Sequence, residues 1–191
     1  MTLEYGIDGG GSMYRLGSRE HVRSFFIAID KYVLKEKLYR KIDWSLITDR
    51  LYKRTISHDM LDDTIAKMAL LIHAMQYTQL SAVNWNVLGI PEPDKMPIPL
   101  RPTGPSLRDL YLPFEFALTG CALSMKFDEL RGEPGRPLRI SCCDAQVFCY
   151  EDQRPLDHYE RLGPKDLPFW LRDDIEYPEI ERIVIDGGYK P

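Results

Sequence analysis

Hydrophobic and polar positions alternate with a period of two at the start of the chain. Leu3, Tyr5 and Ile7 are separated by polar or small residues, Asp8-Gly9-Gly10-Gly11 supplies a turn, and Met13-Tyr14-Arg15-Leu16 returns. Residues 2–17 therefore predict a β-hairpin. The glycines do not read as a phosphate cradle, because no helix bearing a Lys-Ser/Thr pair follows them. The period then lengthens to that of a helix. Ser18 suits an N-cap for a helix over about 19–38, in which Val22, Phe25, Phe26, Ile29 and Val33 recur at three- and four-residue steps. Lys31, Lys35, Lys37, Arg40 and Lys41 crowd its end, where positive charge complements the helix dipole. Asp43 caps a shorter helix carrying Trp44, Ile47 and Leu51. Ser57 or Asp59 opens a third over about 59–78, whose stripe Leu61-Ile65-Met68-Ile72-Met75 suits antiparallel packing against the first.

The pattern changes again at residues 89–105, where six of seventeen positions are proline. Proline removes donors and forces its predecessor out of helical geometry, so this stretch predicts an extended strap. Ile90, Met96, Ile98 and Leu100 alternate with the prolines, which favours a strap packed against the fold over a free recognition segment. Ser106 caps a helix, or a pair kinked at Pro113, running to about Leu130. Leu138-Arg139-Ile140-Ser141-Cys142, Gln146-Val147-Phe148-Cys149-Tyr150 and Ile180-Glu181-Arg182-Ile183-Val184-Ile185 read as strands. The expected fold is a single α+β domain over 1–191: a helical part at about 18–88, the strap at 89–105, and a helix plus strand-rich part at 106–191. The N-terminal hairpin and helical layer are expected to pack on a mixed or antiparallel sheet formed largely by the C-terminal half.

Length and composition agree with this. A chain of 191 residues, 44% of them hydrophobic, buries enough surface to fold without disulfides or metals. No apolar run approaches the roughly 20 residues that cross a bilayer, and the first residues lack the basic and apolar regions of a secretory signal. A cytoplasmic protein with no membrane partner is expected. Cys121, Cys142, Cys143 and Cys149 lack the paired spacing of a zinc site and read as small buried hydrophobes, so no metal is expected.

The net charge of −4 conceals a segregation. Residues 19–54 hold ten basic and five acidic side chains, whereas residues 151–181 hold ten acidic and four basic ones, a local charge of −6. Solvated surface, attraction between the two halves, and an acidic face for a basic partner are all compatible with that distribution. Nucleic acid is disfavoured, since phosphate neutralisation needs a basic stripe interleaved with aromatics.

Catalytic patterns are missing from the sequence: it contains no G-x-S-x-G, H-E-x-x-H or Walker motif. His21, His58, His73 and His158 are scattered. His58-Asp59 with Asp62-Asp63 puts an imidazole and three carboxylates in one helical turn, but acidic residues gather at helix N-termini for electrostatic reasons alone. His73 reads as a core or boundary residue. Asp128-Glu129 and Asp173-Asp174 lack a partner pattern that raises one pKa for acid–base work. An enzyme is not expected, nor a cofactor. An aromatic-rich domain of this kind reads as a binding module, because tyrosine and tryptophan bury large areas at low entropic cost.

The stretch Asp43-Trp44-Ser45-Leu46-Ile47-Thr48-Asp49-Arg50-Leu51-Tyr52-Lys53-Arg54, with the acidic turn and apolar helix after it, resembles a pattern in immunity proteins of bacterial polymorphic-toxin systems, including contact-dependent growth inhibition. The similarity covers about residues 1–75. It implies a cytoplasmic protein, encoded beside a toxin, that binds the toxin's C-terminal effector domain and blocks its active or cofactor site without catalysing a reaction. It assigns no functional residue. On charge and aromatic content, Asp152, Asp157, Glu160, Asp173, Asp174 and Glu176 are expected to supply field and specificity to that protein partner, with Tyr159, Trp170 and Tyr177 as anchors. One rival is a small-molecule-binding protein or enzyme with a pocket between helices and sheet, using His58 and Asp62. A second is an adaptor that works through the strap.

Overall fold

The computed structural model describes residues 4–94, 104–133 and 135–143. The hairpin forms as β1 (Glu4–Gly9) and β2 (Ser12–Ser18), paired antiparallel. Its turn is the two residues Gly10 and Gly11, with φ +58° at the first and no positive φ at the second, the pattern of a type II′ turn. Asp8 belongs to β1 rather than to the turn as expected, and it is fully buried. The register slips between Tyr5 and Gly6. A Cβ at Gly6 would lie 2.1 Å from the Tyr14 carbonyl oxygen, so only glycine fits that bulge.

Ser18 caps α1 (Arg19–Ala28), accepting a 3.2 Å hydrogen bond from His21 N. The helical path continues as a π-helical segment, Ile29–Val33, and the Leu34 amide bonds back five residues to Ile29 O at 2.9 Å. The first helix thus ends near residue 33 instead of 38, with the predicted stripe Val22, Phe25, Phe26, Ile29 and Val33 all buried. A second π-helical segment, Leu46–Leu51, buries Ile47 and Leu51, while Asp43 Oδ1 accepts from Ser45 N just before it. A short 3-10 turn at His58–Met60 leads into α2 (Leu61–Met75). Asn84 caps the single turn α3 (Trp85–Leu88), which Gly89 closes at φ +72°.

Of the strap, residues 95–103 lie outside the described residues. At its near end Ile90 packs against the core, and at its far end Pro105 O accepts from Leu80 N at 3.0 Å. Next comes α4 (Leu107–Leu130), one continuous helix of 24 residues with Pro113 inside it. Ser106 N donates to Asp109 Oδ2 at 2.7 Å in a capping box. The last described strand is β3 (Arg139–Cys142), antiparallel to β1, giving the sheet order β2-β1-β3.

The fold is α+β, with an antiparallel three-stranded sheet among the described residues. The hairpin is not a layer packed on that sheet; it supplies two of the three strands, because β3 pairs directly with β1. The expected strands at 146–150 and 180–185 lie outside the described residues. Core packing centres on α4. Phe25 of α1 stacks on Phe114 at 4.2 Å between ring centroids, and Tyr111 meets Phe25 edge-on. Buried Ser24 Oγ donates to His21 O, leaving the Tyr111 hydroxyl to donate to Ser24 at 2.8 Å. α2 packs antiparallel to α4 rather than along α1; it meets the first helical segment at the π-helical end. Leu107 N to Thr78 O at 2.9 Å joins one end of the α2–α4 pair, and an Asp62–Lys126 ion pair joins the other.

The hairpin turn lies directly on the backbone of α4. A Cβ at Gly10 would sit 2.7 Å from Met125 N and 2.8 Å from the Ser124 carbonyl carbon, both main-chain atoms that have no room to move. Gly10→Ala combines that overlap with an unfavourable positive φ and should cost about 2–4 kcal/mol in urea denaturation. Gly11→Ala, whose nearest neighbour is 3.8 Å away, should stay within about 0.5 kcal/mol of the parent.

Candidate functional site

The residues predicted to contact a partner, Asp152, Asp157, Tyr159, Glu160, Trp170, Asp173, Asp174, Glu176 and Tyr177, lie outside the described residues. Within those described, the feature that stands out is the outer face of α4. Its inner face buries Leu107, Tyr111, Phe114, Leu118, Cys121 and Met125. A second apolar row follows on the opposite side, at Phe116, Leu123, Phe127 and Leu130, which are 64%, 61%, 55% and 85% exposed. Gly120 sits in the middle of this row, and Tyr14 of β2 lies across it: a Cβ there would be 2.5 Å from the ring. Tyr14 is itself partly exposed and borders the row at Gly120. The Arg131 guanidinium lies 4.4 Å from the Phe127 ring centroid, a cation–π contact that borders the face.

The acidic turn at the start of α2 is engaged in ion pairs and a hydrogen bond. Asp62 pairs with Lys126, Asp63 with Lys67 at 3.1 Å, and Asp59 accepts from Ser57 Oγ. His58 Nε2 faces Glu129 at 2.9 Å. Each group turns to its own partner, two of them on the end of α4, and among the described residues no three His, Cys, Asp or Glu side chains converge on a common point. A shallow groove lined by Ser81, Asn84, Trp85, Ile90 and Glu92 lies at the other end of α2. It is not between helices and sheet, where the small-molecule rival placed its pocket. His73 is exposed rather than a core or boundary residue; its Nε2 lies 3.0 Å from Gln76 Nε2. No helix among the described residues is long and apolar enough to cross a membrane.

A buried charge cluster went unread in the sequence. Asp8 is directly opposite Arg139 across β1 and β3, with Arg139 Nε 3.3 Å from Oδ2. Arg136 reaches Oδ1 at 3.2 Å and holds the turn as well: its Nε donates to Gly10 O, and Gly10 N donates to its carbonyl. Nearby, Cys121 Sγ donates to Ile7 O at 3.2 Å. Burial, reinforced by the Asp8 carboxylate, pushes its thiol up to about 12. Burial likewise pushes Cys143 up to about 11. Both thiols stay protonated at neutral pH and lack thiolate reactivity, in keeping with their reading as small hydrophobes. Compared with known proteins, the chain matches no family model, no curated protein and no solved structure.

Removing the carboxylate takes an ion-pair partner from the largely buried Arg139 and the half-buried Arg136, so Asp8→Ala should lose about 3–5 kcal/mol of stability by urea denaturation. His21 yields a pH signature. Desolvation against Tyr111 and Phe114 lowers its pKa below the usual 6.5. The unfolded chain therefore binds the proton more tightly than the folded one. Stability is full above pH 6.5 and falls as the pH drops through the window below it. In a series of melts from pH 7.5 to 5.5, His21→Gln should show a shallower decline in Tm than the parent.

Proposed function

We propose that this chain is a stoichiometric inhibitor that binds and neutralises the effector domain of a bacterial toxin in the cytoplasm, and that it makes or breaks no covalent bond. The observation that carries this reading is the segregation of charge. Lys31, Lys35, Lys37, Arg40 and Lys41 are exposed at the end of the first helical segment, whereas residues 151–181 hold a surplus of six negative charges. A surface with such a field attracts a basic partner over distance and rejects an acidic one by the same means. Tyr159, Trp170 and Tyr177 lie within the acidic stretch and add large, rigid contact area. Further support comes from the stretch Asp43–Arg54, whose pattern resembles immunity proteins. Its apolar members Trp44, Ile47 and Leu51 are buried, whereas Asp43, Ser45 and Lys53 are exposed.

Co-purification of the tagged chain with the protein encoded next to it tests the proposal, together with survival of cells that express that neighbour. A 1:1 complex and protection are expected. Asp173→Lys combined with Asp174→Lys and Glu176→Lys should slow association by about tenfold or more at low salt, the gap closing as salt screens the field. Failure to form a complex, with no protection of the cells, would overturn the reading.

A further inference from the structure

The outer face of α4 has a symmetry of its own. Leu123 stands seven residues from Phe116 on one side and seven from Leu130 on the other. When two such helices lie antiparallel about Leu123, that leucine meets its own counterpart. Phe116 then falls opposite Leu130 of the second copy. Phe127, four residues beyond the centre, falls opposite Thr119, beside the Tyr14 ring that covers Gly120. Apolar side chains thus meet apolar ones on the axis and at both ends, and the row, with Gly120 counted, advances in steps of four, three, four and three, the spacing of a helix-pair seam. The extent is also sufficient. With about 200 Å² for each large side chain, the uncovered parts of the four apolar residues come to roughly 500 Å² per copy. Complete cover of these parts in a pair would bury about 1,000 Å², the threshold for a specific interface.

We infer that a second copy of this chain covers the face, as an antiparallel α4–α4 dimer with its two-fold axis at Leu123. This goes beyond neutralisation of a toxin and does not depend on it, because the acidic stretch and the α4 row are separate segments of the sequence. The face is apolar and its two-fold contact is self-complementary, so the dimer is held by burial and persists in high salt.

Sedimentation of the full chain over a range of concentrations, with cross-linking of single-cysteine variants judged against the parent chain, tests the inference. The parent should sediment as a dimer. Leu123→Lys places like charges face to face on the axis and should weaken the dimer by about a hundredfold while leaving the circular dichroism unchanged. Leu123→Cys should form a disulfide-linked dimer on mild oxidation, whereas Phe116→Cys should do so only when mixed with Leu130→Cys. A parent that stays monomeric at every concentration overturns the inference. In that case rapid alkylation of Leu123→Cys assigns the face to a different protein, and slow alkylation assigns it to cover from elsewhere in the same chain. A dimer that survives Leu123→Lys, or Phe116→Cys linking to itself, overturns it equally.

Discussion

Close contact between a glycine turn and a helix backbone organises this protein. The turn at Gly10 and Gly11 touches the α4 main chain at Ser124 and Met125, and Gly11 N donates to Ser124 Oγ at 3.0 Å. From that point β1 runs back along the helix, with Cys121 Sγ bonded to Ile7 O, and β2 follows it to the N-cap of α1. The arrangement of α1, sheet and α4 follows from where the turn sits. Any Cβ at Gly10 would move the hairpin, and with it the stacked Phe25 and Phe114 that close the other end of the core.

The Asp8 cluster secures the same junction electrostatically. Buried ion pairs are weak sources of net stability, because desolvation offsets most of the attraction. They are better at excluding alternatives. A slip of one residue between β1 and β3 would turn Asp8 away from Arg139 and break the buried cross-strand pair. Arg136 extends the constraint to the turn by holding Gly10 O while its own carbonyl accepts Gly10 N. One carboxylate thus reports on strand register and turn position at once.

Much of this was legible in the sequence, where period and punctuation are local properties. Ser18, the stripe from Val22 to Val33, the glycine turn and the strand at Arg139–Cys142 each follow from residues within a few positions of one another. Relations between distant segments were not. Alternation alone gives no sign that β3 pairs with β1, or that α2 chooses α4 over α1, since each stripe fits any complementary face. Asp8 looked like a turn residue because Asp-Gly is a strong turn signal; only the cross-strand position of Arg139, 131 residues later, converts it into a buried pair. The outer row of α4 was present in the sequence throughout. Phe116, Leu123, Phe127 and Leu130 were hidden by the richness of the helix in Leu, Phe and Ala, which reads as one broad apolar segment until the inner and outer registers are separated.

A helix with apolar rows on two opposite faces has a face to cover on each side. The described fold gives α4 an interior on one side only, and the residues left outside are large and close together. Surface leucines scattered singly need no explanation, but four large side chains on one rigid element form a patch with a cost in water. The local surpluses of charge lie in other segments of the sequence, the lysine-rich stretch after α1 and the acidic stretch after residue 150. The two kinds of segment respond oppositely to salt, which screens a charge surplus and leaves the tendency of an apolar row to withdraw from water intact or strengthened.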